Sequence, residues 1–376
     1  MKKNLAVLYG GVSPEHEVSI ITAVQLMKQV DLGKYSLVPV YIDKSGTWWT
    51  GEKLLEINTY QDLNLRQPQG LEVFAASGEV LGKLMNPDSA RKIEVALLCF
   101  HGAYGEAGNV QGLLELAGVP YQGPGVTASA VAFDKIMTRQ ILDAEQIAQT
   151  KYIWFTSSQW QQDSAHILSQ IEELGYPVFI KPANGGSTIG VARIASVQDM
   201  SAAITAVLTF DQRIIVEKEV IDCIEVNMSV LGLEGDARVS VPEQPIKQDA
   251  FLSFADKYER GGGKKSGMAS SNRRIPAPIS EALTSKLEIL AQKVFHIFDC
   301  SGVVRIDFFV NPSSDEIFVT EINTIPGSMS YYLWEATGLT YPALIDRLVE
   351  IAEIRARQKS QLVTSFENNL LQKASV

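Results

Sequence analysis

Cysteine is scarce in this chain of 376 residues. Cys99, Cys223 and Cys300 are its only three, they are scattered, and no pair has CxxC spacing. So sparse and odd a set speaks against a disulfide framework and suits a reducing cytosol. Basic charge is also in short supply: 33 Lys and Arg stand against 43 Asp and Glu, a formal net charge of −10. That balance argues against a nucleic-acid footprint, which needs a basic face. It does not exclude an anionic nucleotide, because a few lysines inside a cleft dominate locally. No apolar stretch is long enough to span a bilayer. The apolar run near the N-terminus is too short for a signal peptide and meets Gly10-Gly11 instead of a small-residue cleavage site. Internal repeats and low-complexity tracts are missing too.

What remains is a chain rich enough to build cores. Hydrophobic residues make up 46% and charged residues 20%, the balance of a globular protein of roughly two or three domains. The run Asn4 to Tyr9, closed by Gly10-Gly11, reads as a strand and tight turn. Ser13 before Pro14 reads as the N-cap of a helix to about Val30. Strands follow at Ser36 to Ile42 and Glu94 to Phe100, with polar surface excursions between them from about Asp62 to Gly82. This alternation predicts an open parallel α/β sheet. One helix is expected over Thr127 to Gln146, then strands at Lys151 to Thr156, Tyr176 to Pro182, Gly190 to Ile194 and Arg213 to Val220. Antiparallel strands are expected at Glu225 to Leu233 and Arg238 to Pro242. Helices at Ser280 to Phe298 and Tyr341 to Lys359 flank the strands Gly302 to Val310 and Glu316 to Asn323. Asp256 to Arg274 is polar, glycine-rich and basic, and is expected to be a functional lid over phosphates.

Four constellations carry chemistry. The first is Arg305-Ile306-Asp307 with Glu321-Ile322-Asn323. Alternation along a strand puts Arg305 and Asp307 on one face, and likewise Glu321 and Asn323. If the strands pair as a hairpin, two carboxylates and an amide oxygen form a hard-oxygen site for Mg²⁺ held with phosphates. The adjacent arginine suits a phosphate in transfer. A surface ion pair on a half-exposed sheet is the competing reading. The second is the loop from Lys181 through Gly185, Gly186 and Ser187 to Gly190, a phosphate cradle without the Walker pattern. A glycine-rich hairpin with no ligand would look the same. The third is Glu217-Lys218-Glu219-Val220 with Glu225, able to read an adenine edge and a ribose, or simply a solvated strand end. The fourth pairs His101 to Glu106 with Gly10 to Glu15, both beyond the carboxyl ends of parallel strands, where open α/β sheets bind ligands; an ordinary loop histidine is the competing reading of His101.

Taken in order, these stretches resemble the D-alanine–D-alanine ligases of the ATP-grasp type. Gly10-Gly11-Val12-Ser13-Pro14-Glu15-His16, His101-Gly102 through Gly105-Glu106, Gln111-Gly112-Leu113, Pro120-Tyr121-Gln122-Gly123, Asp134-Lys135, the Lys181 loop, Arg305-Ile306-Asp307 and Glu321 to Gly327 carry the likeness. It spans nearly the whole chain. The resemblance implies an ATP-grasp fold in three domains, at 1–126, 127–212 and 213–362, with a tail at 363–376. It implies two steps: a carboxylate attacks the ATP γ-phosphate, and an amine then attacks the acyl phosphate. Two D-alanines would be joined for peptidoglycan precursors, or D-alanine to D-lactate, D-serine or another amino acid.

By position, the resemblance gives Glu15 the first substrate's ammonium, oriented through Ser187 and Tyr258, with His101 lining that site. Lys135, Lys181, Gly186 and Ser187 are implied for the ATP phosphates, with Lys257 near the γ-phosphate. Glu217, Lys218 and Val220 would frame adenine and Glu225 the ribose. Arg305 would stabilise the transferring phosphate. Asp307, Glu321 and Asn323 would ligate two Mg²⁺ or Mn²⁺ ions. Gly327, Tyr332 and Leu333 fall to the second substrate. A homodimer in the cytoplasm is implied as well. The chain departs from the pattern at Ala107, at Ile224, in a long lid carrying Arg260, Lys264, Lys265, Arg273 and Arg274, and at Tyr332. Tyr332 stands where a serine usually holds the second substrate's carboxylate. If its hydroxyl does that work, Tyr332→Phe should raise the second substrate's Michaelis constant; in the competing reading Ser328 or Ser330 takes over the contact, D-alanine remains the acceptor, and Tyr332→Phe leaves that constant unchanged.

Overall fold

A computed structural model describes residues 2–60, 71–75, 80–85, 92–186, 189–246 and 273–365. Three sheets organise the chain. The first has the order β4-β3-β2-β1-β5, with β1 Lys3–Gly10, β2 Tyr35–Ile42, β3 Trp48–Thr50, β4 Glu72–Ala75 and β5 Val95–Leu98. β1 runs parallel to both β2 and β5, whereas β3 and β4 add as antiparallel edge strands. The sheet is therefore mixed, and part of the stretch expected to be surface excursion forms its edge. β1 is almost wholly buried apolar sequence, as a central strand covered on both faces must be.

The second sheet has the order β6-β9-β7-β8, with β6 Tyr152–Thr156, β7 Val178–Pro182, β8 Ala192–Ile194 and β9 Arg213–Lys218. All its pairings are antiparallel. β9 lies between β6 and β7, so a division at 212/213 would sever the sheet; its packing ends at Lys218. The third sheet has the order β11-β10-β14-β15, with β10 Ile224–Gly232, β11 Arg238–Val239, β14 Gly302–Asn311 and β15 Glu316–Asn323. A short ribbon pairs β12 Gln244–Pro245 with β13 Arg273–Arg274.

Each sheet has its own core. The helices Ser164–Leu174 and Met200–Val207 cover the second sheet through Ile167, Ile171, Met200 and Ile204. The helix Glu281–Ile297, capped by Ser280, covers the third through Leu283, Leu287, Ala291 and Val294. The last helix, Tyr341–Ser360, packs through Leu344, Ile345 and Leu348 into the core of the first sheet.

Two local expectations need correction. The stretch expected as one helix is two, Val126–Phe133 and Lys135–Ala144. Asp134 breaks it: its backbone is extended, and its carboxylate accepts from the N–H groups of Ile136 and Met137. An N-cap aspartate satisfies donors that a continuous helix would not leave open. The first helix is His16–Met27, and Ser13 does not cap it. The Ser13 hydroxyl instead donates to the His101 carbonyl at 2.8 Å and accepts from the Glu15 N–H at 3.1 Å. It joins the two loops at the carboxyl ends of β1 and β5.

Candidate active site

Cross-strand register builds the first cluster. On β14 and β15, Arg305 lies opposite Asn323 and Asp307 opposite Glu321. The next pair is Phe308 with Val319, so Thr320 is an extra residue in a bulge. Arg305 grips Asp307 with two parallel bonds, Nε to Oδ1 at 2.7 Å and Nη2 to Oδ2 at 2.8 Å. The Asn323 amide nitrogen donates to Asp307 Oδ2 at 3.0 Å, which turns its oxygen the other way. Burial raises the Asp307 carboxyl to about 6, against the pull of Arg305 and helped by the charge of Glu321. Like charges on directly opposed rungs destabilise a sheet, and a cation between them removes that penalty. Among the described residues no group of three His, Cys, Asp or Glu is gathered to hold a metal. The candidate set is two carboxylates and one amide, a donor set that fits Mg²⁺ sharing its shell with phosphates and water.

The second cluster surrounds Glu15, which ends the β1 loop and is buried. A Cβ placed on Gly102 would lie 3.3 Å from Glu15 Oε2, and one on Gly186 only 2.6 Å from it. The carboxylate thus sits between the His101 loop and the glycine-rich loop. Ser187, the next residue of that loop, lies outside the described residues, as do Lys257, Tyr258 and the segment 247–272 that holds most of the expected lid. Glu106 accepts the Gly102 N–H at 2.6 Å. Burial and the nearby Glu15 push the Glu106 carboxyl well above its usual range.

His101 is buried, and its Nε2 pairs with Thr22 Oγ1 at 3.0 Å. Burial, with the charge of Arg305, lowers its imidazole to about 4. A lowered histidine stabilises the fold fully above the unfolded value near 6.5, and that stability is lost as pH falls toward 4. The window corresponds to about 3 kcal/mol. Titration by ¹⁵N-resolved NMR should find His101 neutral at pH 5; total stability is not its readout, because the raised Asp307 and Glu106 carboxyls act with the opposite sign over the same window. A His101 that titrates near 6.5 would refute this.

The third cluster is cationic. Lys135 opens its helix directly after the Asp134 cap, and its ammonium donates to the Gly185 carbonyl. Asn184 of the same loop is fastened by Asp211, which accepts from both its main-chain and its side-chain nitrogen at 2.9 Å. Burial lowers the Lys135 ammonium, while the charges of Glu321 and Glu217 oppose the shift. Lys181 pairs with Glu217, which also holds Arg139. Burial alone would raise the Glu217 carboxyl, but the two cations outweigh it and hold it at about 2. The Lys218 ammonium points at the carbonyls of Gly175 and Tyr176, at 2.7 and 2.8 Å. The side chains of Glu217 and Lys218 are therefore committed to protein partners. Val220 follows the end of β9. Glu225, opposite Phe309 on β14, lines a cavity of about 340 Å³ with Cys223, Gln244, Ile246 and Arg274.

The Tyr332 hydroxyl does not stand open for a carboxylate. It donates to Glu243 Oε1 at 2.9 Å. Glu243 is buried, takes Arg273 Nη1 at 3.1 Å and Asn227 Nδ2 at 3.2 Å, and was not legible in the sequence. Arg273 stacks over the Tyr332 ring at 4.0 Å. The Ser328 hydroxyl is likewise engaged, by Gln25 at 2.9 Å. Gly327 opens a short turn, and the Leu333 side chain is fully buried packing. Tyr332→Phe is accordingly expected to cost about 1–3 kcal/mol of stability by leaving Glu243 a donor short. Urea unfolding measures this, and an unchanged midpoint would show the bond to be unimportant.

Family models match over most of the chain: "D-ala D-ala ligase N-terminus" over residues 4–124 and "D-ala D-ala ligase C-terminus" over 141–350. The chain belongs to the D-alanine–D-alanine ligase family. Among curated relatives, the D-alanine–D-alanine ligase of Thermosipho melanesiensis is 36% identical over 371 residues, covering 98% of both chains. Among solved structures, this family member resembles the D-alanine–D-alanine ligase of Coxiella burnetii, with a TM-score of 0.79 and 27% identity over 99% of each chain. It is equally similar to the VanG D-Ala:D-Ser ligase of Enterococcus faecalis, at TM-score 0.79 and 28% identity, covering 94% of this chain and all of that one.

Proposed function

We propose that this chain is an ATP-dependent ligase that joins two D-alanines through an acyl phosphate, for peptidoglycan precursors. The observation that carries this is the paired register of Arg305, Asp307, Glu321 and Asn323, with the Lys135 ammonium held on the Gly185 carbonyl of the glycine-rich loop. Glu15 holds the first substrate's ammonium between the two glycine loops, with His101 lining the site. Lys135, Lys181 and the Gly186 loop bind the ATP phosphates, the 217–220 main chain frames adenine, and Glu225 takes the ribose. Arg305 offers its guanidinium to the transferring phosphate. Asp307, Glu321 and Asn323 hold Mg²⁺, which when bound neutralises the phosphate oxygens. Ser187, Lys257 and Tyr258 keep the roles that the resemblance gives them. A homodimer and a cytoplasmic location belong to the same proposal; no described helix is long and apolar enough to cross a membrane.

A second reading rests on Tyr332. Its hydroxyl is given to Glu243, so the second subsite differs from one built on a free serine, and the likeness to a D-Ala:D-Ser ligase points the same way. Phosphate release from ATP with D-alanine and Mg²⁺ tests the main proposal. The expected result is phosphate and D-alanyl-D-alanine in equal amounts. No release with any D-amino acid would sink both readings, and product formed only with D-serine or D-lactate would select the second.

A further inference from the structure

Arg139 lies on the helix Lys135–Ala144 and is almost wholly buried. On one side its Nε donates to Glu217 Oε1 at 2.7 Å. On the other, Nη1 donates to the Val319 carbonyl at 2.7 Å and Nη2 to the Thr320 carbonyl at 2.9 Å. Consecutive carbonyls of a regular strand point in opposite directions, so one guanidinium reaching both needs an irregular stretch. Thr320 is the extra residue of the β15 bulge, and the bulge sets the phase in which Glu321 opposes Asp307. A planar fork of five donors can span a carboxylate and two carbonyls; an ammonium on a flexible stem cannot hold the three in one plane.

Glu217 makes the other half of the argument. Its carboxylate is buried and shared between Arg139 and Lys181. Lys181 is the more exposed of the two cations. If Lys181 turns to a phosphate, Glu217 still has Arg139, and no buried charge is stranded. Without Arg139, Lys181 becomes the only cation on Glu217 and is retained there.

We propose that Arg139 is a positioning residue that braces the nucleotide strand β9 to the carboxylate strand β15, freeing Lys181 for phosphate and fixing Glu321 for the metal. The proposal rests on the ATP-ligase reading above. Its test is calorimetric titration of the full chain with ADP, once in EDTA and once in Mg²⁺, which needs no turnover. In Arg139→Met the ADP dissociation constant in EDTA should rise roughly tenfold or more, the worth of a hydrogen bond to a charged group. Adding Glu217→Gln should recover that loss, because Lys181 is released, yet the gain in affinity on adding Mg²⁺ should stay smaller than in the wild type. Arg139→Lys, which keeps the charge but not the fork, should bind ADP nearly normally in EDTA and lose the Mg²⁺ gain. Wild-type constants for Arg139→Met in both media, or no recovery with Glu217→Gln, would overturn the brace. If Arg139→Met does not fold, as judged by circular dichroism, an undiminished Mg²⁺ gain in Arg139→Lys overturns it instead. A wild-type chain that binds no ADP would overturn the ligase reading, and the brace with it.

Discussion

Asp307→Asn and Glu321→Gln are each expected to lower turnover by a hundredfold or more while the fold survives. A metal clamped on transferring phosphates contributes several kcal/mol of charge stabilisation, and each 1.36 kcal/mol is a factor of ten. Both changes keep the side chain's shape and remove one negative charge. Asp307 faces Glu321 across the ladder, so either loss leaves a single carboxylate on that rung. Asp307→Asn also loosens Arg305, because an amide cannot accept the two parallel bonds that the carboxylate takes. Glu321→Gln leaves that fork intact and isolates the metal contribution. Turnover should therefore be measured against Mg²⁺ concentration at saturating ATP and D-alanine, with thermal unfolding as the control. Full activity in either variant, or in the wild type with excess chelator, would remove the metal assignment.

That cluster was legible in the sequence because strand alternation and hairpin pairing are short-range rules. Arg305, Asp307, Glu321 and Asn323 needed only two apolar strands and a turn to be placed together. The same reasoning failed where partners come from far along the chain. Arg139, on an amphipathic helix, reads like a solvated charge, yet its carbonyl partners lie 180 residues away. Glu243 gave no signal either, since its burial depends on Arg273 and Tyr332 arriving from two later segments. The break at Asp134 could have been found, because aspartate before a helical run is a favoured N-cap. The apolar periodicity on both sides hid it. Ser13 looked like a cap for the same local reason, but the packing of the His101 loop captured its hydroxyl first. β9 was read as a strand correctly, but sheet membership is set by non-local pairing, which no local pattern records.

Gly186→Ala tests the first-substrate site most sharply. The added methyl would stand 2.6 Å from Glu15 Oε2, 3.4 Å from its Cδ and 3.6 Å from Oε1. The first distance is shorter than any van der Waals contact allows, so something must move. Glu15 has little room to retreat, because the residue is buried between the His101 loop and the glycine-rich loop. Gly102 itself has φ +88° and holds its place beside Ser13. Displacing the carboxylate weakens a charge-assisted bond to the substrate's ammonium, worth about 1.5–3 kcal/mol, or roughly ten- to a hundredfold in affinity. The Michaelis constant for the first D-alanine should rise by that factor. The constant for ATP should change less, because the methyl points at Glu15 and leaves the loop's N–H groups in place. Gly112→Ala serves as the control: its nearest neighbour would be Val126 Cγ2 at 3.9 Å, an ordinary contact on a helix. A wild-type constant for D-alanine in Gly186→Ala would mean that Glu15 does not hold the ammonium. A rise in the ATP constant alone would assign the loop to the nucleotide and leave the first substrate to other residues.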